Sequence, residues 1–182
     1  REPFKWKTPA RVFVNSMSDL FLGTVPTDYL SDVWNTMLEA DWHQYQILTK
    51  RPIPAARLIK DLGLELPPHI WLGVSVESQE WANRRIPVLL DIPAKVRFLS
   101  CEPLLGPLDL APYMDGLDWV IDGGESGSGR RPASYDWFRS IRDQCAVGGV
   151  AYFHKQGNAY WSGKDRTLDG RTWDDYPSGS LL

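Results

Sequence analysis

Apolar and polar positions come in blocks along this chain. Six short apolar runs, at 11–14, 45–48, 70–74, 96–99, 119–121 and 150–153, each end in a polar cluster. They are nearly continuous runs, which suits parallel strands buried on both faces. Helix-patterned sequence follows several of them. Leu30, Val33, Trp34, Met37 and Leu38 recur at helical spacing, predicting a helix over about 27–41 with Thr27 as its N-cap. Ala55, Leu58, Ile59 and Leu62 stripe a second helix that opens at Pro52 and stops at Gly63. Ser78 opens a third segment reaching about Asp91, which Pro87 should divide or in which it begins a second turn. Trp137, Phe138, Ile141 and Cys145 stripe a fourth, over about 134–147, ended by Gly148 and Gly149.

This strand-then-helix order predicts an α/β fold. The expected architecture is a partial (β/α) barrel of the TIM type with about six parallel strands, spanning 1–157; an open doubly wound sheet is the alternative. After Gly157 the rhythm dissolves. Asp169-Gly170 predicts a small hairpin within a C-terminal extension, 158–182, with Trp161 and Trp173 as candidate anchors. A barrel lacking a terminal strand exposes sheet edges, and edges invite pairing. Residues 1–9 read as a connector entering a strand, so the sequence reads as a fragment.

In an α/β barrel the C-terminal strand ends converge on one working face. The polar clusters are therefore the candidate chemistry. Asn15, Ser16, Ser18 and Asp19 follow the first strand and could bind an amine, a ribose or a metal; capping of loops is the plainer reading. Thr49 and Lys50 end the second strand, where a lysine could hold a carboxylate or phosphate. Ser75 and Glu77 are two apart and share one side of an extended chain. Glu77 could instead cap the next helix. Glu102 and Glu125 end later strands. Lys50 and Glu102 are the catalytic candidates. Gly123 and Gly124 open a glycine-dense loop that could approach a ribose or phosphate, or be a flexible turn. The loop has neither P-loop nor dinucleotide spacing. His154 alone reads as a structural histidine, and the three histidines show no zinc spacing.

The net charge of −3 gives no sign of a nucleic-acid surface. It leaves room for a local basic site, such as Arg130-Arg131, although a solvated pair is the plainer reading. No run reaches the ~20 apolar residues of a membrane span, and the expected location is cytoplasmic. Of the two cysteines, Cys145 lies on a helix stripe as a core thiol, while Cys101 sits at a strand end and could face the site.

The strand-end words are distinctive as a set. They include the stretch from Val12 to Phe21, Ile47 to Pro52, Trp71 to Glu77, Arg97 to Pro107, Trp119 to Gly127, Lys155-Gln156-Gly157 and Leu168 to Arg171. Together they resemble the phage-associated three-Cys-motif family, which looks radical-S-adenosylmethionine-like. The resemblance implies a barrel of the radical-S-adenosylmethionine type. It implies a [4Fe-4S] cluster held by three cysteines in an upstream segment absent from this sequence, and S-adenosylmethionine bound on the barrel wall. By position, Asn15, Ser16, Ser18 and Asp19 would line its amino-acid end. Thr49, Lys50, Ser75, Glu77 and Glu102 would follow, and Gly123, Gly124 and Glu125 would approach its ribose or adenine. The fragment alone is expected to bind neither cofactor.

Two other readings stand beside this one. Asp19, Glu102 and Glu125 could assist a metal in a barrel hydrolase, or the chain could be a non-catalytic phage accessory module meeting a partner protein. The substrate is not named by the sequence.

Overall fold

The structure, a computed structural model, describes residues 2–180. Six strands, β1 (Arg11–Val14), β2 (Gln44–Thr49), β3 (Ile70–Ser75), β4 (Arg97–Cys101), β5 (Trp119–Gly123) and β6 (Ala151–Gln156), form one sheet in sequence order. Every neighbouring pair is parallel. A doubly wound sheet would reverse its strand order partway. Sequential order with right-handed crossovers instead sends all helices to one side, and the sheet curls into a half-barrel.

Four helices form the outer layer: α1 (Thr27–Glu39), α2 (Pro52–Asp61), α3 (Gln79–Leu90) and α4 (Tyr135–Gly148). Two helix details differ from the sequence expectation. Pro26, not Thr27, occupies the N-cap position of α1, and no side chain caps it. Pro87 lies inside a continuous α3. Asn83 and Pro87 are both exposed, so the one backbone bond that proline removes lies on the solvent side, where water substitutes. The stretch after β4 carries a two-turn 3-10 helix, Ala111–Gly116. Among the described residues no helix is long and apolar enough to cross a membrane.

Strand parity divides the apolar residues between two faces. Tyr45, Ile47, Leu72, Val74, Leu99 and Val120 pack under the helices with Trp34, Ile86, Phe138 and Ile141. Trp71, Val96, Phe98 and Trp119 form a second cluster on the concave face, joined by Leu48, Ile121 and Phe153. Gly73 makes room there, since a Cβ at that position would lie 2.5 Å from the Phe98 ring.

The C-terminal stretch does more than decorate the surface. Strands β7 (Thr167–Leu168) and β8 (Arg171–Thr172) make the expected hairpin around Asp169 and Gly170, both at positive φ. The chain then runs antiparallel along the free edge of β6. The His154 N–H donates to the Trp173 carbonyl at 2.9 Å and the Asp175 N–H to the Tyr152 carbonyl at 3.1 Å. Beyond this the tail crosses the concave face. The Tyr176 ring meets Trp119 at 5.0 Å and Phe153 at 5.5 Å, and the Arg11 guanidinium lies 3.8 Å over it. Gln44 closes the strap by donating to the Gly179 carbonyl at 3.2 Å. Of the two expected anchors, Trp173 packs on Tyr152, whereas Trp161 is 70% exposed and holds nothing down. The exposed edge is therefore β1, which pairs only with β2 among the described residues.

This strap predicts a contrast between two aromatic substitutions. Tyr176→Ala should lower unfolding stability by about 2 kcal/mol, while Trp161→Ala should stay within about 0.5 kcal/mol. Urea unfolding followed by circular dichroism measures both. Equal effects would mean the strap does not brace the half-barrel.

Candidate functional site

The C-terminal ends of the first three strands are tied by one polar row. Asp19, in the loop after β1, accepts from the Thr49 hydroxyl at 2.8 and 2.9 Å and from the Lys50 N–H at 2.9 Å. The Lys50 ammonium meets Glu77 at 2.7 Å. Arg85, reaching down from α3, donates to the other Glu77 oxygen at 2.8 Å and to the Ser75 carbonyl at 2.7 Å. Glu77 and Arg85 are buried, whereas the Lys50 side chain is 57% exposed. Glu77 therefore pairs with cations and does not cap α3.

A second pair ties the other strand ends. Lys155, at the end of β6, meets Glu102 at 2.7 Å. Gly123 gives Glu102 its space, since a Cβ there would lie 3.3 Å from the Glu102 carboxyl carbon. The loop after β4 bridges both groups, with the Leu104 N–H on the Gly123 carbonyl and the Leu105 N–H on the Glu77 carbonyl.

The remaining sequence candidates stand differently. Asn15 begins the turn after β1 at φ 56, and its carbonyl accepts from Ser18. Ser16 and Ser18 are exposed on that turn, and Ser75 is buried, with its carbonyl accepting from Arg85. Gly124 packs against the end of β6. Its N–H donates to the Gln156 carbonyl and its own carbonyl accepts from the Gln156 amide, while a Cβ would strike the Gly157 carbonyl at 2.4 Å. Glu125 turns within its own loop to a bidentate pair with Arg131 at 2.8 and 2.9 Å. Those bonds hold its carboxyl down at about 2. Asp19, Glu102 and Glu125 thus each answer to a different partner. Among the described residues no three His, Cys, Asp or Glu gather to hold a metal ion.

Charge at Glu77 is contested and resolved. Burial alone would raise its carboxyl pKa. The bonds from Lys50 and its own backbone, with the Arg85 charge, outweigh burial and hold it below the ordinary glutamate value. Cys101 does not face the site as the sequence allowed. Its strand parity places it under the helices, fully buried, where burial and then the Asp122 charge push its thiol well up. Burial pushes the core thiol of Cys145 up to about 12. Iron–sulfur ligation needs accessible thiolates, so neither cysteine suits that role.

Sequence reading missed Arg85 and the buried partners of His154, the histidine it read as structural. Arg85 sits on the buried stripe of α3 beside Ala82, Ile86 and Leu89. A charge at a core position is a signal of a buried partner. The histidine group is Asp122, Tyr152 and His154, under α4. Asp122 accepts from the Tyr152 hydroxyl at 2.7 Å and meets His154 Nδ1 at 2.7 Å, while His154 Nε2 has no partner among the described residues. The adjacent register of Asp122 and His154 joins β5 to β6 from behind. Two polar residues at helix-facing parity were the available signal.

The chain belongs to the family described as "Protein of unknown function (DUF5131)", which matches residues 1–177. No curated protein and no solved structure matches it.

A carboxyl held below its unfolded pKa stabilises the native state above that value, and the contribution is lost as pH falls through the folded value. For Glu77 the loss lies on the acid side of the ordinary glutamate range. Glu77→Gln should flatten the acid limb of stability against pH. Arg85→Met, which removes the buried partner, should cost about 3 kcal/mol at neutral pH. Urea midpoints across a pH series measure both, and an unchanged acid limb in Glu77→Gln would refute the assignment.

Proposed function

We propose that the strand-end face of this chain is the cofactor- and substrate-facing wall of a radical S-adenosylmethionine-like enzyme of the phage-associated type. The observation that carries the reading is the row Asp19, Thr49, Lys50, Glu77, Arg85 across three consecutive strand ends of a half-barrel. An amino-acid end is a zwitterion, and it needs an anion and a cation a few ångströms apart. Lys50 is the mobile cation of the row, since its ammonium is mostly exposed while its partner Glu77 is fixed from behind by Arg85. Swinging off Glu77, Lys50 meets a carboxylate. Glu77 then stays charged through Arg85 and accepts from an ammonium. Asp19 holds the β2 end in place through Thr49 and the Lys50 backbone.

Glu102 and Lys155, across the curl, form the matching candidate for proton transfer or substrate contact. Bound with a reduced [4Fe-4S] cluster, S-adenosylmethionine supplies the radical chemistry. The two buried cysteines leave the cluster to thiolates outside the described residues, in keeping with the upstream cysteine segment that the family resemblance implies.

The test uses the chain together with its natural upstream sequence, loaded anaerobically with iron and sulfide. Iron–sulfur absorption and S-adenosylmethionine binding in equilibrium dialysis are the expected results. Lys50→Met should weaken that binding about ten-fold or more while leaving the iron content unchanged. An extended chain that takes up no iron and binds no S-adenosylmethionine overturns the proposal.

A further inference from the structure

Two loops leave the working face beside β5 and β6, and the polar row described above uses neither. Residues 126–131 follow β5, and residues 157–166 follow β6. They are bonded into one shelf. The Gly127 N–H donates to the Tyr160 carbonyl at 2.8 Å, and the Asn158 side chain bonds both the N–H and the carbonyl of Ala133. The second loop is tied back to its strand through Gln156, whose side-chain oxygen accepts from the Gly163 N–H at 2.7 Å.

On this shelf stand two neighbouring aromatic rings. Tyr160 is 47% exposed and Trp161 70%, and their rings meet edge to face at 4.9 Å. Single exposed apolar side chains are ordinary. These two come with cations. The half-buried Arg130 guanidinium donates to the Asn158 carbonyl at 2.7 Å and the Gly127 carbonyl at 3.3 Å, and lies 6.0 Å from the Tyr160 ring. Arg131, Arg139, Arg142 and Arg166 all meet carboxylates. Arg130 meets none among the described residues, so its position is fixed and its charge is not neutralised. Lys164 closes the turn that begins at Trp161 and is exposed, without an ion pair among the described residues. Of the nearby carboxylates, Glu125 and Asp174 are paired with Arg131 and Arg166, while Asp165 meets the neutral Tyr135 hydroxyl and Asn158 N–H, so it offsets part but not all of the charge of Arg130 and Lys164.

Flat exposed rings beside unneutralised cations suit a ligand with planar faces and a regularly spaced anionic backbone. We infer that this shelf binds single-stranded nucleic acid, with bases stacking on Trp161 and Tyr160 and phosphates meeting Arg130 and Lys164. Stacking tolerates any base, because each has a π face. A duplex hides those faces within its own stack, so the shelf selects single strands. The net charge of the chain does not oppose this, since the positive charge is local and comes from a handful of side chains. The inference goes beyond the cofactor reading and does not rest on it, because no residue of the Lys50 row takes part.

The experiment is fluorescence anisotropy of a labelled oligothymidylate and a labelled oligouridylate titrated with the chain at low salt. Unlabelled duplex and thymidine monophosphate serve as competitors. Single strands should bind, and they should outcompete duplex and mononucleotide alike. Trp161→Ala should weaken binding at least about five-fold. Lys164→Ala should reduce the slope of log affinity against log salt by about one. Both side chains are exposed, and a thermal melt confirms that the variants stay folded. Absence of single-strand binding overturns the inference. So does wild-type affinity in Trp161→Ala, or equal affinity for duplex or mononucleotide. Lys50→Met should bind strands like the parent, which keeps this outcome separate from that of the cofactor proposal.

Discussion

A parallel sheet wound in one direction leaves one of its faces without helices, and that constraint shapes the rest of this molecule. All four helices pack on the convex side, so the concave side must bury its own large side chains. Trp71, Phe98 and Trp119 do so at the N-terminal half of the strands, with Gly73 cleared for the Phe98 ring and Tyr176 brought in from the tail. Toward the other end of the same face the side chains change character to Lys50, Ser75, Glu77, Glu102 and Lys155. One parity of six strands thus runs from an aromatic floor to a charged rim. The floor makes the rim available, because a curled sheet with an unfilled interior would collapse onto its own polar end.

The rim depends on burying a charge safely. Removing a carboxylate from water costs several kcal/mol, and one cation on a flexible stem does not reliably offset it. Glu77 has two cations of different kinds. Arg85 is rigid, buried and also bonded to the Ser75 carbonyl, while Lys50 is mostly exposed. The first secures the charge from behind, and the second meets it from the solvent side. Exposed pairs such as Lys5 with Glu2 or Arg84 with Glu80 contribute little by comparison.

Much of the fold was legible in the sequence because strands buried on both faces are read as continuous apolar runs. The strand-end position of Asp19, Lys50, Glu77 and Glu102 followed from the same runs, and the shared side of Ser75 and Glu77 from strand parity. Pairing was not legible. Arg85 and Glu77 are eight residues apart with the first part of α3 between them, and Lys155 and Glu102 are separated by a 3-10 helix, β5 and α4. Such partners depend on tertiary placement, which local pattern does not encode. The glycine-dense loop was ambiguous for a related reason. A glycine needed for close approach to Gln156 and Gly157 reads the same as one needed for a ligand.

The two buried carboxyls differ in how their surroundings treat charge. Asp122 is enclosed more completely than Glu77, and burial raises its pKa even though His154 and Tyr152 both bond to it. An acid whose folded pKa is raised contributes most stability while protonated, and loses it as pH rises from the unfolded value through the folded one. Glu77 has the opposite sign, with its contribution retained at neutral pH and lost toward acid. Between the two sites the decisive difference is the partner. Glu77 faces two cations, whereas Asp122 faces a tyrosine hydroxyl and an imidazole, whose bonds lower its pKa by less than burial raises it. Ionisation at Asp122 is therefore opposed by its surroundings, and its bonds act as a fastener between β5 and β6. Ionisation at Glu77 is imposed by its surroundings, which makes it a fixed negative charge facing an exposed lysine.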